Sequence, residues 1–219
     1  VGAVDADASI KAVAQAHKSG RNINAADMRA ATLDSLRAVM LIRAYRSNGH
    51  LLAALDPLSL EEPDLHPELD PESYGFGDDD WERPIFIDNV LGLETATLNE
   101  IIARLRQTYC GTIGVEFMHV QDPKQKAWIQ ERIESINNQT DFTLRGKSAI
   151  YERLVDADEF GKYLHKKFPG TKRFGLDGSE AVIPALEQIL KRGSQLGLRE
   201  VVVGMAHRGR LNILHNILQ

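Results

Sequence analysis

From Met28 to Ser47, apolar residues recur at helical intervals (Leu33, Leu36, Met40, Ile42, Tyr45), with Arg37, Arg43 and Arg46 among them. That spacing predicts an amphipathic helix. Candidate N-caps lie in Asn24–Asp27, and Asn48-Gly49 ends the run as a pair that tolerates left-handed backbone. The simplest place for the arginines is a solvated face; an anion site on the helix is the alternative. His50–Asp56 continues as a second short apolar helix, closed by Pro57. Ahead of all this, Val1 to about Gly20 is small and weakly patterned, a weak helix or frayed arm.

Leu58–Pro84 is rich in proline and aspartate and predicts a surface excursion in loose turns. Its acidic residues, Asp78 to Asp80 included, lack the alternation of a calcium loop and read as solvated. Ile85–Ile87 is β-prone. Thr97 is an N-cap for a helix from Leu98 to about Tyr109, with Glu100 reinforcing its first turn. Gly111 to Gly114 breaks it. Asp122-Pro123 opens a further helix that turns Trp128, Ile129 and Ile133 to one face and Glu131 and Arg132 to water. Lys147–Val155 and Glu159–Phe168 read as two helices, the second capped from Asp156–Asp158, and Pro169-Gly170 as a turn.

Past that turn the pattern changes. Lys172–Ser179 is β-leaning and punctuated by glycine, and Glu180–Arg192 is amphipathic, with Val182, Ile183, Leu186, Ile189 and Leu190 inward and Pro184 in its first turn. Val201–Val203 predicts a strand buried on both faces of a parallel sheet. His207, Arg208 and Arg210 cluster around Gly209, and Leu211, Leu214 and Leu218 then follow at helical spacing. Strand, polar turn and helix form the local unit of α/β enzymes, whose ligands bind beyond the carboxyl ends of the strands. An imidazole and two guanidiniums there suit carboxylate or phosphate oxygens. The alternative is structural: both arginines pair with acidic neighbours, and His207 is a hydrogen-bonded turn residue.

Composition narrows the class. With 219 residues, 43% hydrophobic and 26% charged, the chain has the make-up of a soluble globular protein. A net charge of −5 argues against a general nucleic-acid binder, and no apolar run reaches the length of a membrane span. The single cysteine, Cys110, excludes an internal disulfide and reads as packing. No phosphate loop, dinucleotide fingerprint, zinc spacing or nucleophile elbow occurs. Residue chemistry alone therefore reaches an anion-handling α/β enzyme, with one convincing strand and hence a piece of something longer. The expected divisions are 1–84, N-terminal helices and the Pro/Asp-rich connection; 85–168, a helical domain; and 169–219, the opening of an α/β domain.

Four blocks carry a family resemblance: Leu41–Leu58, Thr108–His119 with Trp128–Ile133 after it, Phe168–Ala181 and Glu200–Leu214. In this order they resemble the N-terminal part of the thiamine-diphosphate-dependent first (decarboxylating) components of 2-oxoglutarate dehydrogenase complexes. Ser179 departs from the family, which commonly has glycine there. The resemblance implies a mostly α-helical N-terminal region followed by the start of an α/β, transketolase-like cofactor-binding domain. It implies decarboxylation of 2-oxoglutarate on thiamine diphosphate and Mg²⁺, whose main ligands fall downstream of Gln219, with the 219 residues alone inactive. The succinyl group passes to a lipoyl arm of the dihydrolipoyl succinyltransferase partner. A homodimer and a bacterial cytoplasm or mitochondrial matrix are implied too. His207 matches the family's active-site histidine, and Arg208 an arginine of the cofactor pocket; no metal ligand carries over. Arg210 stays structural, bracing the turn. Two alternatives remain at this point, a 2-oxoadipate-specific relative and a non-catalytic helical docking module.

Overall fold

The computed structural model describes residues 25–60 and 63–218. They fall into two compact units that divide between Thr140 and Asp141. The stretch from Val1 to about Gly20, read above as a weak helix or arm, lies outside the described residues.

The first unit is built on α1 (Ala25–Asn48), which buries Ala38, Leu41, Ile42, Ala44 and Tyr45. Ile42 and Tyr45 are buried as the spacing suggested, but Leu33, Leu36 and Met40 are exposed, while Asp34 is buried and pairs with Arg83 at 2.8 Å. Against α1 packs α2 (Leu98–Tyr109), which opens on the expected capping box: Thr97 Oγ1 accepts from the Glu100 N–H, and Glu100 accepts from the Thr97 N–H.

Gly49 does not end α1 by a left-handed turn. It starts a short 3₁₀ turn, Gly49–Leu52, and a Cβ at Gly49 would lie 2.6 Å from the Cβ of Tyr109. The glycine is needed for close approach of chain segments. The helix expected over His50–Asp56 stops at Leu52, because Ala53 is extended and the Ala54 N–H donates to the Gly111 carbonyl at 2.9 Å. A backbone donor committed to another segment cannot serve a local helix.

The Pro/Asp-rich connection is more ordered than loose turns. Short 3₁₀ turns at Pro67–Leu69 and Pro71–Tyr74 are capped by His66 Nδ1 and Asp70, which accept from the N–H groups of Glu68 and Glu72. Leu69 and Phe76 are anchored in the core. Asp80 is held by the Gly77 N–H and by Arg83. β1 (Pro84–Phe86) pairs antiparallel with β2 (Thr95–Thr97), Ile85 facing Ala96. Ile85 and Ala96 bury one side of this ribbon against the helices.

α3 (Pro123–Glu134) begins as expected, with Asp122 capping and Pro123 in the first turn. Ile129 and Ile133 pack on the core and Glu131 and Arg132 face water, but Trp128 is 66% exposed. What the hydropathy pattern missed is Glu134. Buried at the end of α3, it accepts two hydrogen bonds from Arg46 (2.7 and 2.9 Å) and one from the Tyr109 hydroxyl (2.6 Å). Arg46 is therefore neither on a solvated face nor in an anion site. Burial first, and then the Glu134 carboxylate, push the Tyr109 phenol far above its usual range. Cys110 is half-buried, its thiol pushed up to about 11 by burial, in keeping with a packing role.

The second unit contains α4 (Leu144–Lys167) and α5 (Val182–Gln195). The two helices expected over Lys147–Phe168 are one. Asp156 and Asp158 do not cap; they pair along the helix with Arg153 and Lys162, and Ala157 between them is buried. Helical side-chain pairing at these spacings removed the break that an Asp-x-Asp motif suggested. α5 buries Ile183, with Val182 and Leu186 partly covered; Ile189, expected inward, is 57% exposed.

The strand expected at Val201–Val203 is absent. The segment from Val201 to Ala206 has no regular structure, and Val201, Val202 and Val203 are 43%, 88% and 37% exposed. A strand exists only as a hydrogen-bonded pairing, and among the described residues the sole sheet is the ribbon of β1 and β2. The described fold is mostly helical. α6 (Arg210–Ile213) follows the turn and runs on as a π-helical turn, Leu214–Leu218.

Candidate functional site

The site is assembled from two segments of the second unit, Arg173–Gly178 and the turn His207–Arg210. Gly209 is the pivot. It is buried at φ +74°, and a Cβ there would run into the Leu176 side chain, so the turn closes over Leu176 only with glycine in this position. The Gly209 N–H donates to the Phe174 carbonyl at 2.7 Å. With Gly209 pinned inward, its neighbours His207, Arg208 and Arg210 are all exposed.

His207 stacks on the Phe174 ring, centroids 5.4 Å apart and planes 28° from parallel. The Arg210 guanidinium lies 4.2 Å from the centroid of the same ring, a cation–π contact that fits its expected bracing role. The Arg208 guanidinium donates to the Asp177 carbonyl. Among the described residues no ion pair joins Arg208 or Arg210 to a carboxylate.

Alongside lies a cavity of about 330 Å³, lined among others by Phe160, His165, Arg173, Phe174 and Asn212. Arg173 and the His165 ring are in direct hydrogen-bond contact there, and His215 stacks on Phe160 with centroids 4.3 Å apart. The wall is fixed from beneath: Asn212, 5% exposed, donates to the Ala157 carbonyl of α4 at 2.8 Å and accepts from Asn216.

Sequence reasoning placed His207, Arg208 and Arg210 on one turn, and the structure holds them together. It missed Phe174, Asp177 and Asn212. Phe174 offered only a faint signal, an aromatic beside glycine in a punctuated segment. Asp177 acts through its carbonyl, which no residue type announces. His50 belongs to the first unit, its Nε2 3.8 Å from Glu116, and His119, just ahead of α3, is exposed.

The exposed Arg208 and His207 supply donors for anionic oxygens, but no cluster of three His, Cys, Asp or Glu fit to hold a metal ion occurs among the described residues.

No protein-family model matches the chain. Among curated proteins, the 2-oxoglutarate dehydrogenase E1 components of Brucella canis, Brucella suis and Brucella abortus are each 57% identical to it over 201 residues, 91% of this chain. The chain spans about 20% of the length of these relatives. Over those 201 residues it is a homologue of the 2-oxoglutarate dehydrogenase E1 component, matching one part of that protein.

Proposed function

We propose that this chain forms the N-terminal part of an enzyme that decarboxylates 2-oxoglutarate and passes the succinyl group to the lipoyl arm of a succinyltransferase. Thiamine diphosphate, held with Mg²⁺ by residues outside this stretch, supplies the carbanion chemistry when bound. The observation that carries the reading is the exposed His207-Arg208 pair, fixed on a turn packed over Leu176, in a chain 57% identical to E1 components. Arg208 has a guanidinium edge suited to anionic oxygens of coenzyme or keto acid. His207 presents ring nitrogens that donate a hydrogen bond to oxygen as it gains negative charge.

In the same reading, stretch 169–219 opens an α/β cofactor-binding domain. The β-branched Val201–Val203, exposed here, takes its place in a sheet when further strands lie alongside. The enzyme acts as a homodimer in a bacterial cytoplasm or a mitochondrial matrix; the Brucella relatives are bacterial. Among the described residues no helix is long and apolar enough to cross a membrane.

The test is 2-oxoglutarate-dependent dye reduction by a full-length E1 component carrying this sequence. His207→Ala is expected to lower kcat by about 10²-fold or more, the usual scale for a positioned polar group. An unchanged kcat removes His207 from the reaction. Running 2-oxoadipate beside 2-oxoglutarate decides between substrates that differ by one methylene, a difference worth only about 1–3 kcal/mol to a pocket.

A further inference from the structure

Phe174 has a backbone that its residue type does not favour. Its φ is +49°, in the left-handed region that a bulky side chain rarely adopts. Such a conformation persists where the surroundings over-determine it, and here the surroundings are the functional turn. The Phe174 carbonyl takes the Gly209 N–H, and its ring takes the His207 imidazole on one contact and the Arg210 guanidinium on another. The remaining residue of the turn, Arg208, is tied to the Asp177 carbonyl of the same segment. A histidine on an exposed turn otherwise rotates freely about two side-chain bonds, and freezing it during reaction costs entropy. A ring stacked against the imidazole meets that cost in advance.

We infer that Phe174 is a positioning residue for His207: its ring sets the imidazole's orientation while its carbonyl, through Gly209, sets the height of the turn. This rests on the functional reading above only in its consequence for catalysis; the stack itself is a property of the free chain.

Two measurements separate the two. In the 219-residue chain, the His207 ring protons, assigned with His207→Gln, are expected upfield of those of the exposed His119, because the Phe174 ring current bears on them. Phe174→Leu should return them to the exposed position, and Phe174→Tyr should not. Wild-type His207 protons at the exposed position overturn the proposal whatever the Phe174 variants show. In the full-length E1 component, Phe174→Leu should lower kcat roughly 10-fold or more, on the scale that misplacement of a reacting group produces, with KM for 2-oxoglutarate little changed. Phe174→Tyr should restore kcat. In a His207→Ala background, Phe174→Leu should add no further loss, since a residue acting through another is silent once that other is gone. Equal losses in both backgrounds overturn the positioning role. If His207→Ala itself leaves kcat unchanged, the functional reading fails, and the ring-proton shifts still decide whether Phe174 orients the imidazole.

Discussion

Glu134 shows how far one buried charge can organise its surroundings. Its side chain is 10% exposed and that of Arg46 15%, and the carboxylate takes both guanidinium hydrogen bonds and the Tyr109 hydroxyl. These contacts tie the end of α3 to α1 and α2. Removing one partner leaves the other charged and desolvated, which costs roughly 3–5 kcal/mol, whereas replacing both with apolar side chains removes the desolvation burden as well. Glu134→Ala is therefore expected to lower the unfolding free energy by about that much in urea titration. The pair Arg46→Met with Glu134→Leu should lose clearly less, and a double variant as unstable as Glu134→Ala would mean that the ion pair itself is strongly stabilising.

Elements with their signals in their own sequence formed where expected. The Thr97–Glu100 capping box and the Asp122-Pro123 start both act within one helical turn, so no distant residue can overrule them cheaply. Signals that rely on absence behaved differently. Asp156–Asp158 marks a helix end only if its carboxylates cap, and they pair with Arg153 and Lys162 along the helix instead. Asn48-Gly49 does end α1, but Gly49 acts there through close approach to Tyr109 and not through a left-handed backbone. Gly49→Ala is expected to destabilise the chain by about 1–3 kcal/mol, the cost of overpacking, as measured by thermal or urea unfolding. Gly77, where a Cβ would meet nothing within 4 Å, serves as the comparison; Gly77→Ala should leave stability nearly unchanged. Equal effects at the two positions would show that backbone freedom, and not contact with Tyr109, governs Gly49.

At the scale of the molecule, the chain covers a fifth of the E1 components it resembles, and its candidate site presents an arginine and a histidine without metal ligands among the described residues. The 219 residues alone are accordingly expected to show no 2-oxoglutarate-dependent dye reduction with thiamine diphosphate and Mg²⁺, while the full-length E1 component does. Turnover by the short chain would mean that the cofactor site is contained within it. The amino-acid sequence by itself determined local facts: the Thr97–Glu100 capping box, the helix start at Asp122-Pro123, the turn at Pro169-Gly170 and the cationic cluster His207, Arg208 and Arg210, all fixed by residues near one another in the chain. Only the tertiary structure decided which face of α1 is buried, that Arg46 answers to Glu134, and that Phe174 lies under His207 and Arg210. Val201–Val203 marks the boundary between the two. Its β-branched residues state a preference, but a strand requires a neighbour to take its hydrogen bonds, and that depends on pairing in space, not on the residues themselves.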